Sequence, residues 1–203
     1  AIPPAPPLPR DAIGNRRRMA PLLPVIATGC LWFVVMWMSG VKTPFVMALA
    51  GIEDHGTIAS LYALNAGSVT VSSLMFGAYA ARFDPITILR FAFLASAGGL
   101  CIAAVATTAP QFALALMVNG ASAGVGLTAL WTWGMRRAPD DLVARALGIM
   151  TTCLYLGGAT SPFLTAPYEA MLGTRGQFFG VAATIVTVLL LLWLGRSGRI
   201  RNV

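Results

Sequence analysis

Acidic residues are scarce in this sequence, and their placement excludes several kinds of chemistry. Seven Asp and Glu stand against fourteen Lys and Arg, with one histidine and one lysine. None of the seven acids falls in the middle of an apolar stretch, so no paired carboxylates stand at membrane depth for acid–base work. Cys30, Cys101 and Cys153 lie far apart, without CxxC or Cys/His spacing. Neither a disulfide framework nor a metal site is expected from them. No P-loop, zinc motif or dinucleotide fingerprint is present. No catalytic residue, no metal and no cofactor are therefore expected, and ATP hydrolysis by this chain is unsupported. The formal charge of +7 would suggest a nucleic-acid partner in a soluble protein. Here the basic residues are dispersed and no aromatic residues interleave them, so nucleic acid is not an expected partner.

What the sequence has instead is apolar length. Hydrophobic residues make up 57% and charged residues 10%, against about a quarter charged in soluble domains, and the mean hydropathy is +0.76. A membrane-crossing helix needs about 20 apolar residues. Six stretches qualify: 24–45, 56–80, 86–106, 111–135, 142–166 and 177–194. Turn signals divide them, including GIEDHG at 51–56, FDP at 83–85, TTAP at 107–110, RRAPDD at 136–141 and the stretch around Gly173.

The cations fix an orientation. Twelve of the fourteen lie in alternate gaps: Arg10 and Arg16 to Arg18 before the first stretch, Arg82 and Arg90 around the second turn, Arg136, Arg137 and Arg145 around the fourth, and Arg196, Arg199 and Arg201 at the end. The other gaps hold only Lys42 and Arg175. Short basic loops stay cytoplasmic, which predicts six transmembrane helices with both termini inside, in a plasma membrane of bacterial inner-membrane type. Residues 1–9 read AIPPAPPLP, an extended, semi-rigid linker. The expected organisation is a Pro/Arg-rich cytoplasmic linker at 1–20, a helical bundle at 21–195 and a basic cytoplasmic tail at 196–203. The proline-rich start, without an initiator Met, also reads as the connection from something upstream.

Polarity is uneven among the stretches. The third and sixth carry no amide or ionisable side chain at their centres, so both are expected to stand outside, against lipid. In the second, Tyr62, Asn65, Ser68 and Ser72 lie near one face; in the fourth, Gln111, Asn119 and Ser122 share a sector; in the fifth, Thr151, Tyr155, Gly158 and Pro162 align. In the first, Trp37 and Pro44 share a face and Lys42 points elsewhere. Polar groups at membrane depth face protein or water, so stretches one, two, four and five are expected to surround an interior. The order polar, polar, apolar then repeats, as in a three-plus-three inverted repeat.

The segment GAYAARFDPITILR at 77–90 resembles a degraded copy of the G-x-x-x-D-R-x-G-R-R loop of the major facilitator superfamily. Gly77 and Arg82 fit; Ala81 stands where the family acid would be and Asp84 replaces a glycine. Arg145, Gly148, Gly157, Gly158 and Pro162 resemble the R-x-x-G…G…P run that opens the eleventh helix of that superfamily. Together the two motifs span most of the chain. The resemblance implies the C-terminal six-helix half of a twelve-helix transporter, with an N-terminal six-helix half as partner, the proline-rich start as central linker, and Gly77, Arg82, Asp84, Arg145, Gly148 and Pro162 as gating or motif residues. For Arg82 a gating contact and a purely topogenic role both stand.

Trp37, Asn65, Asn119, Tyr155 and Lys42 are the substrate-binding candidates. Asparagine can both donate to and accept from a solute near the midplane, and Trp37 and Tyr155, with Trp131, would form an aromatic wall. Each has an alternative: an interhelical hydrogen bond for the two amides, an interfacial belt for Trp131 and Trp133, and snorkelling to the headgroups for Lys42. Gly120-Ala-Ser-Ala-Gly124 spells the GxSxG nucleophile pattern, but no span supplies a histidine base and the surrounding small residues favour helix packing. Two functions follow. One is half of a secondary transporter moving a small organic solute, ion-gradient driven, with export preferred. The other is a six-span scaffold or subunit that does not transport.

Overall fold

The computed structural model describes residues 18–197, with side chains to residue 190. The expected linker therefore lies almost wholly outside the described residues, as do Arg10, Arg16 and Arg17, most of the basic tail and the side chain of Arg196.

The described chain is all helix and turn. After a 3-10 turn at Ala20–Leu22 come α1 (Leu23–Leu49), α2 (His55–Ala80), α3 (Pro85–Val105), α4 (Ala109–Arg137) and α5 (Val143–Ser197). Among the described residues these supply five helical stretches long and apolar enough to cross a membrane. The fifth is two helices in one: at Gly173 the backbone takes φ 73 and ψ 174, a region open essentially to glycine alone. The two arms are α5N (143–172) and α5C (174–197). An added Cβ at Gly173 would meet nothing within 4 Å, so conformation, and not crowding, demands the glycine.

Local chemistry explains the boundaries. α1 ends in a Schellman motif: Gly51 at φ 76 lets Ile52 N–H reach Met47 O at 3.0 Å and Gly51 N–H reach Ala48 O at 2.9 Å. Asp54 caps α2 by accepting from Thr57 N–H at 2.7 Å, and Thr57 holds its carboxyl below the usual carboxylate range. α3 opens on Pro85 at its first position after Asp84. Thr108 and Gln111 form a reciprocal capping box on α4, so Gln111 closes a helix end and does not extend the polar stripe. The fifth expected stretch, 142–166, runs on to 172 because Pro167 sits inside the helix, and membrane helices tolerate proline where neighbours re-satisfy the freed backbone.

Packing pairs α4 with both α2 and α3, and pairs α5 with both α1 and α3. Trp32 of α1, 1% exposed, fills the centre. Its indole meets Phe93 of α3 edge-on at 4.6 Å and lies over Gly126 of α4, where an added Cβ would come within 2.5 Å of the ring. Small residues set the closest approaches. Gly120 and Gly124 turn toward α2, where a Cβ would strike the backbone carbonyls of Asn65 and Val69. Gly157 of α5N would strike Cys30 O of α1 at 2.6 Å. The GxSxG run is thus a packing surface, and the Ser122 hydroxyl, buried, donates to Asn119 O at 2.7 Å.

The third helix differs from expectation. Of the membrane-length stretches α3 is the most buried, with 56% of its apolar window inside the bundle, while α2 has only 11%. The absence of amides in α3 reflects its Ala, Gly and Ser content. Ser96, Gly99 and Ala103 let it lie flush on α4, and small side chains signal close helix contact more strongly than lipid exposure.

Gly124→Ala is expected to force α4 from α2 and destabilise the bundle by about 1–3 kcal/mol, read as a lower unfolding midpoint in detergent. Gly98→Ala, where a Cβ meets nothing within 4 Å, is expected to be neutral or to stabilise by up to about 1 kcal/mol. Equal midpoints for the two variants would contradict the packing assigned to Gly124.

Candidate functional site

Three helices expose one aromatic surface. On α1, Phe33, Trp37, Val41 and Pro44 recur at three- and four-residue steps, which places them on one side. Trp37 is 45% exposed and leans on Gly158 of α5N, where an added Cβ would sit 3.2 Å from its ring. Phe33 meets Tyr155 of α5N edge-to-face at 5.9 Å, and Tyr155 is 61% exposed. From α2, the Tyr62 hydroxyl donates to Gly40 O at 2.7 Å, four residues before Pro44 on the same helix side. The surface offers ring faces and hydroxyls with no ionised group. Such a set can hold an apolar or aromatic body by stacking and orient it with a few hydrogen bonds.

The asparagines are placed differently. Asn119 is 7% exposed; its Nδ2 donates to Ser39 Oγ of α1 at 2.5 Å, and its Oδ1 accepts from Ser96 Oγ of α3 at 3.2 Å. One amide thereby ties α1, α3 and α4 together. Asn65 donates to Leu116 O at 2.7 Å and ties α2 to α4. Of the binding candidates, then, the structure brings Trp37 and Tyr155 to one surface, and it engages Asn65 and Asn119 in helix packing.

Lys42 stands apart from both. Its ammonium pairs with Glu169 at 2.6 Å and lies 5.7 Å from the Phe45 ring centroid. Glu169 also accepts from Thr174 Oγ1 at 3.3 Å. The sequence places Glu169 in an external loop; it lies instead within α5N, because that helix continues past Pro167. Lys42 is thus one half of an ion pair between α1 and α5N, where snorkelling alone had been one reading.

At the opposite end the motif residues scatter. An added Cβ at Gly77 or Gly148 meets nothing within 4 Å, so neither glycine marks a close helix approach among the described residues. Arg82 and Arg145 are exposed, and Pro162 lies inside α5N with its ring on an exposed side. Asp84 accepts from the Thr87 hydroxyl, which holds its carboxyl below the usual range; it serves the start of α3. The ion pair that forms at this end is a different one, Arg18 bidentate on Asp141 at 2.7 and 2.9 Å. Trp133 takes Arg137 over its ring at 5.2 Å, and its own indole N–H is buried without a partner among the described residues.

Phe33, Ser39, Ser96 and Glu169 were missed as site partners. Phe33 carried a usable signal, being four residues before Trp37 on the same helix side. The two serines carried none, since hydroxyls in membrane helices ordinarily bond their own helix carbonyls, as Thr43 does to Ser39 O at 2.6 Å.

A sequence model described as the Major Facilitator Superfamily matches residues 2–162. No curated protein and no solved structure matches the chain.

Asn119→Leu is expected to leave Ser39 and Ser96 without their shared partner and to destabilise the bundle by about 0.6–2 kcal/mol. The measurement is the unfolding midpoint of the purified protein in detergent. A midpoint equal to that of the parent would show that the amide does not tie the three helices.

Proposed function

The chain belongs to the Major Facilitator Superfamily, and from that premise we propose that it forms half of a secondary transporter for a small, largely uncharged aromatic or apolar solute. In this reading α1 to α4, α5N and α5C are six crossings in a three-plus-three inverted repeat, with both ends cytoplasmic. The pairing of helices supports that order. Exchanging the first three crossings with the last three turns the α1·α5N contact into α4·α2, and both are principal contacts here.

The observation that carries the proposal is the aromatic surface of Phe33, Trp37 and Tyr155. It is exposed in the bundle while Trp32, one position round from Phe33, is sealed in the core. α2 and α5N also leave large apolar side chains uncovered, among them Val71, Leu74, Tyr155 and Phe163. A second six-helix bundle docked on these helices would close a cavity over the aromatic surface, and rocking of the two bundles would open it to each side in turn. No ionised group lies on that surface, which disfavours strongly charged cargo. Ion-gradient drive and export from a bacterial cytoplasm are the readings we prefer.

The scaffold reading draws on one observation, that Asn65 and Asn119 are both engaged in helix packing. Transport itself separates the two. In proteoliposomes carrying the full-length protein, an imposed proton or sodium gradient should drive a labelled small aromatic solute against its concentration, and an ionophore should abolish the movement. Trp37→Ala and Tyr155→Ala should each slow transport about tenfold, by loss of an aromatic contact to the solute, while the loss of one interhelical contact lowers stability by no more than about 1.5 kcal/mol. An unaltered rate in the double variant would remove this surface from the path. A panel of such solutes with no gradient-driven movement would favour the scaffold.

A further inference from the structure

Behind the α1·α5N seam lies an apolar crevice of about 370 Å³, walled by Leu31 and Val35 of α1, Leu164 of α5N, and Val181 and Ile185 of α5C. At 3.6 residues per turn, Leu164 stands about 180° from Tyr155 round α5N, and Val35 about 160° from Trp37 round α1. The crevice therefore lies on the far side of α5N from the aromatic surface and on the flank of α1, where its lining runs from Cys30, about 20° from Trp37, round to Val35. If that surface meets the second bundle, as proposed above, the crevice opens to the bilayer.

Two cations lie near the Gly173 bend, beyond the Thr165 and Tyr168 end of the crevice, and neither lines it. Thr165 and Tyr168 line the crevice, and the next residue, Glu169, holds Lys42. The other oxygen of Glu169 accepts from Thr174, whose chain neighbour is Arg175. Lys42 uses one of its three donors on Glu169. Arg175 makes a long 3.4 Å bond to Ala104 O, which occupies one of its five. These are the only two basic residues in the arginine-poor gaps of the sequence. Set against Lys42 and Arg175, Glu169 leaves one formal positive charge near this bend.

We propose that the crevice and these cations bind one anionic phospholipid, with an acyl chain along Leu31, Val35, Leu164 and Val181 and the phosphate on Lys42 and Arg175. An unfilled groove at this depth forfeits dispersion contacts along its lining, and the bilayer supplies hydrocarbon of matching width. The head is selected by charge: each Lys or Arg at the membrane surface favours anionic lipid by about fivefold in affinity. Glu169 and Thr174 fix the position of the lysine, and Gly173 lets α5C turn back so that Arg175 comes to the same end. The inference rests on the transmembrane orientation proposed above.

The test uses detergent-purified full-length protein titrated with dioleoylphosphatidylglycerol or dioleoylphosphatidylcholine, with the unfolding midpoint as readout. The anionic lipid is expected to raise the midpoint at lower concentration than the zwitterionic one. Arg175→Gln, and the paired Lys42→Gln with Glu169→Gln, should each weaken the phosphatidylglycerol response about fivefold. Leu164→Trp, at a position 57% exposed and so tolerant of bulk, should block the groove and weaken both lipids. Equal responses to the two lipids, or responses unchanged in all three variants, would overturn the site. Orientation is read separately, by labelling Thr174→Cys in intact cells with a membrane-impermeant maleimide. Labelling without a lipid effect sinks the lipid site alone, and a lipid effect without labelling upholds the site and sinks the orientation.

Discussion

The backbone of α4 lies against the backbone of α2 because Gly120 and Gly124 leave no side chain between them, and much of the bundle follows from that approach. In hydrocarbon, burial of apolar surface gives helices little reason to associate, since lipid tails are as apolar as leucine. Cohesion must come from dispersion at short range, and short range requires small residues. α4 supplies them along one length: Gly120 and Gly124 toward α2, Gly126 under Trp32, and a backbone bare enough to accept Gly99 of α3. A helix that approaches three neighbours at once becomes the organiser of the bundle. The GxSxG spelling is a by-product of that demand.

Polar side chains act within this frame as ties of modest strength. Most hydroxyls bond a carbonyl one turn back on their own helix, as Thr128, Thr132, Thr151 and Thr152 do, and so avoid an unsatisfied group at no structural expense. The interhelical bonds are few and local. Asn119 joins three helices, Asn65 two, and Ser161 reaches Val34 O at 2.7 Å across the α1·α5N seam. Each contributes of the order of 1 kcal/mol, too little to hold helices together and enough to set their register. Specificity of packing is the better description of what these amides do.

Most helix limits were legible in the sequence because hydropathy, glycine, proline and capping residues act locally. Asp54, Asp84, Thr108 and Gly173 each do at a helix end what their residue types lead one to expect. Partnership was less legible. The sequence shows that Asn119 is polar and central but not that Ser39 and Ser96 converge on it from 80 and 23 positions away. It shows an alanine-rich third helix but not whether those alanines face lipid or Gly99's neighbour. Glu169 lies in helix because α5N runs six residues past its expected end at 166, with Pro167 inside it. These failures share a cause: a side chain's role depends on what lies opposite, and opposition is a property of the packed bundle.

One helix shows how the sites divide. α1 presents Trp32 to the core, Ser39 to the three-helix tie, Phe33 and Trp37 to the open surface, and Lys42 to α5N. Four neighbouring environments are separated only by angle round one cylinder. The ion pair and the aromatic surface are consequently on different sides, although Lys42 and Trp37 are five residues apart in sequence. A solute lying on Trp37 would not meet the lysine, so the single cation of α1 cannot serve as its counter-ion without rotation of the helix. Charge at this end therefore answers to the helix ends that Lys42 and Glu169 join, and the rings of the open surface carry none.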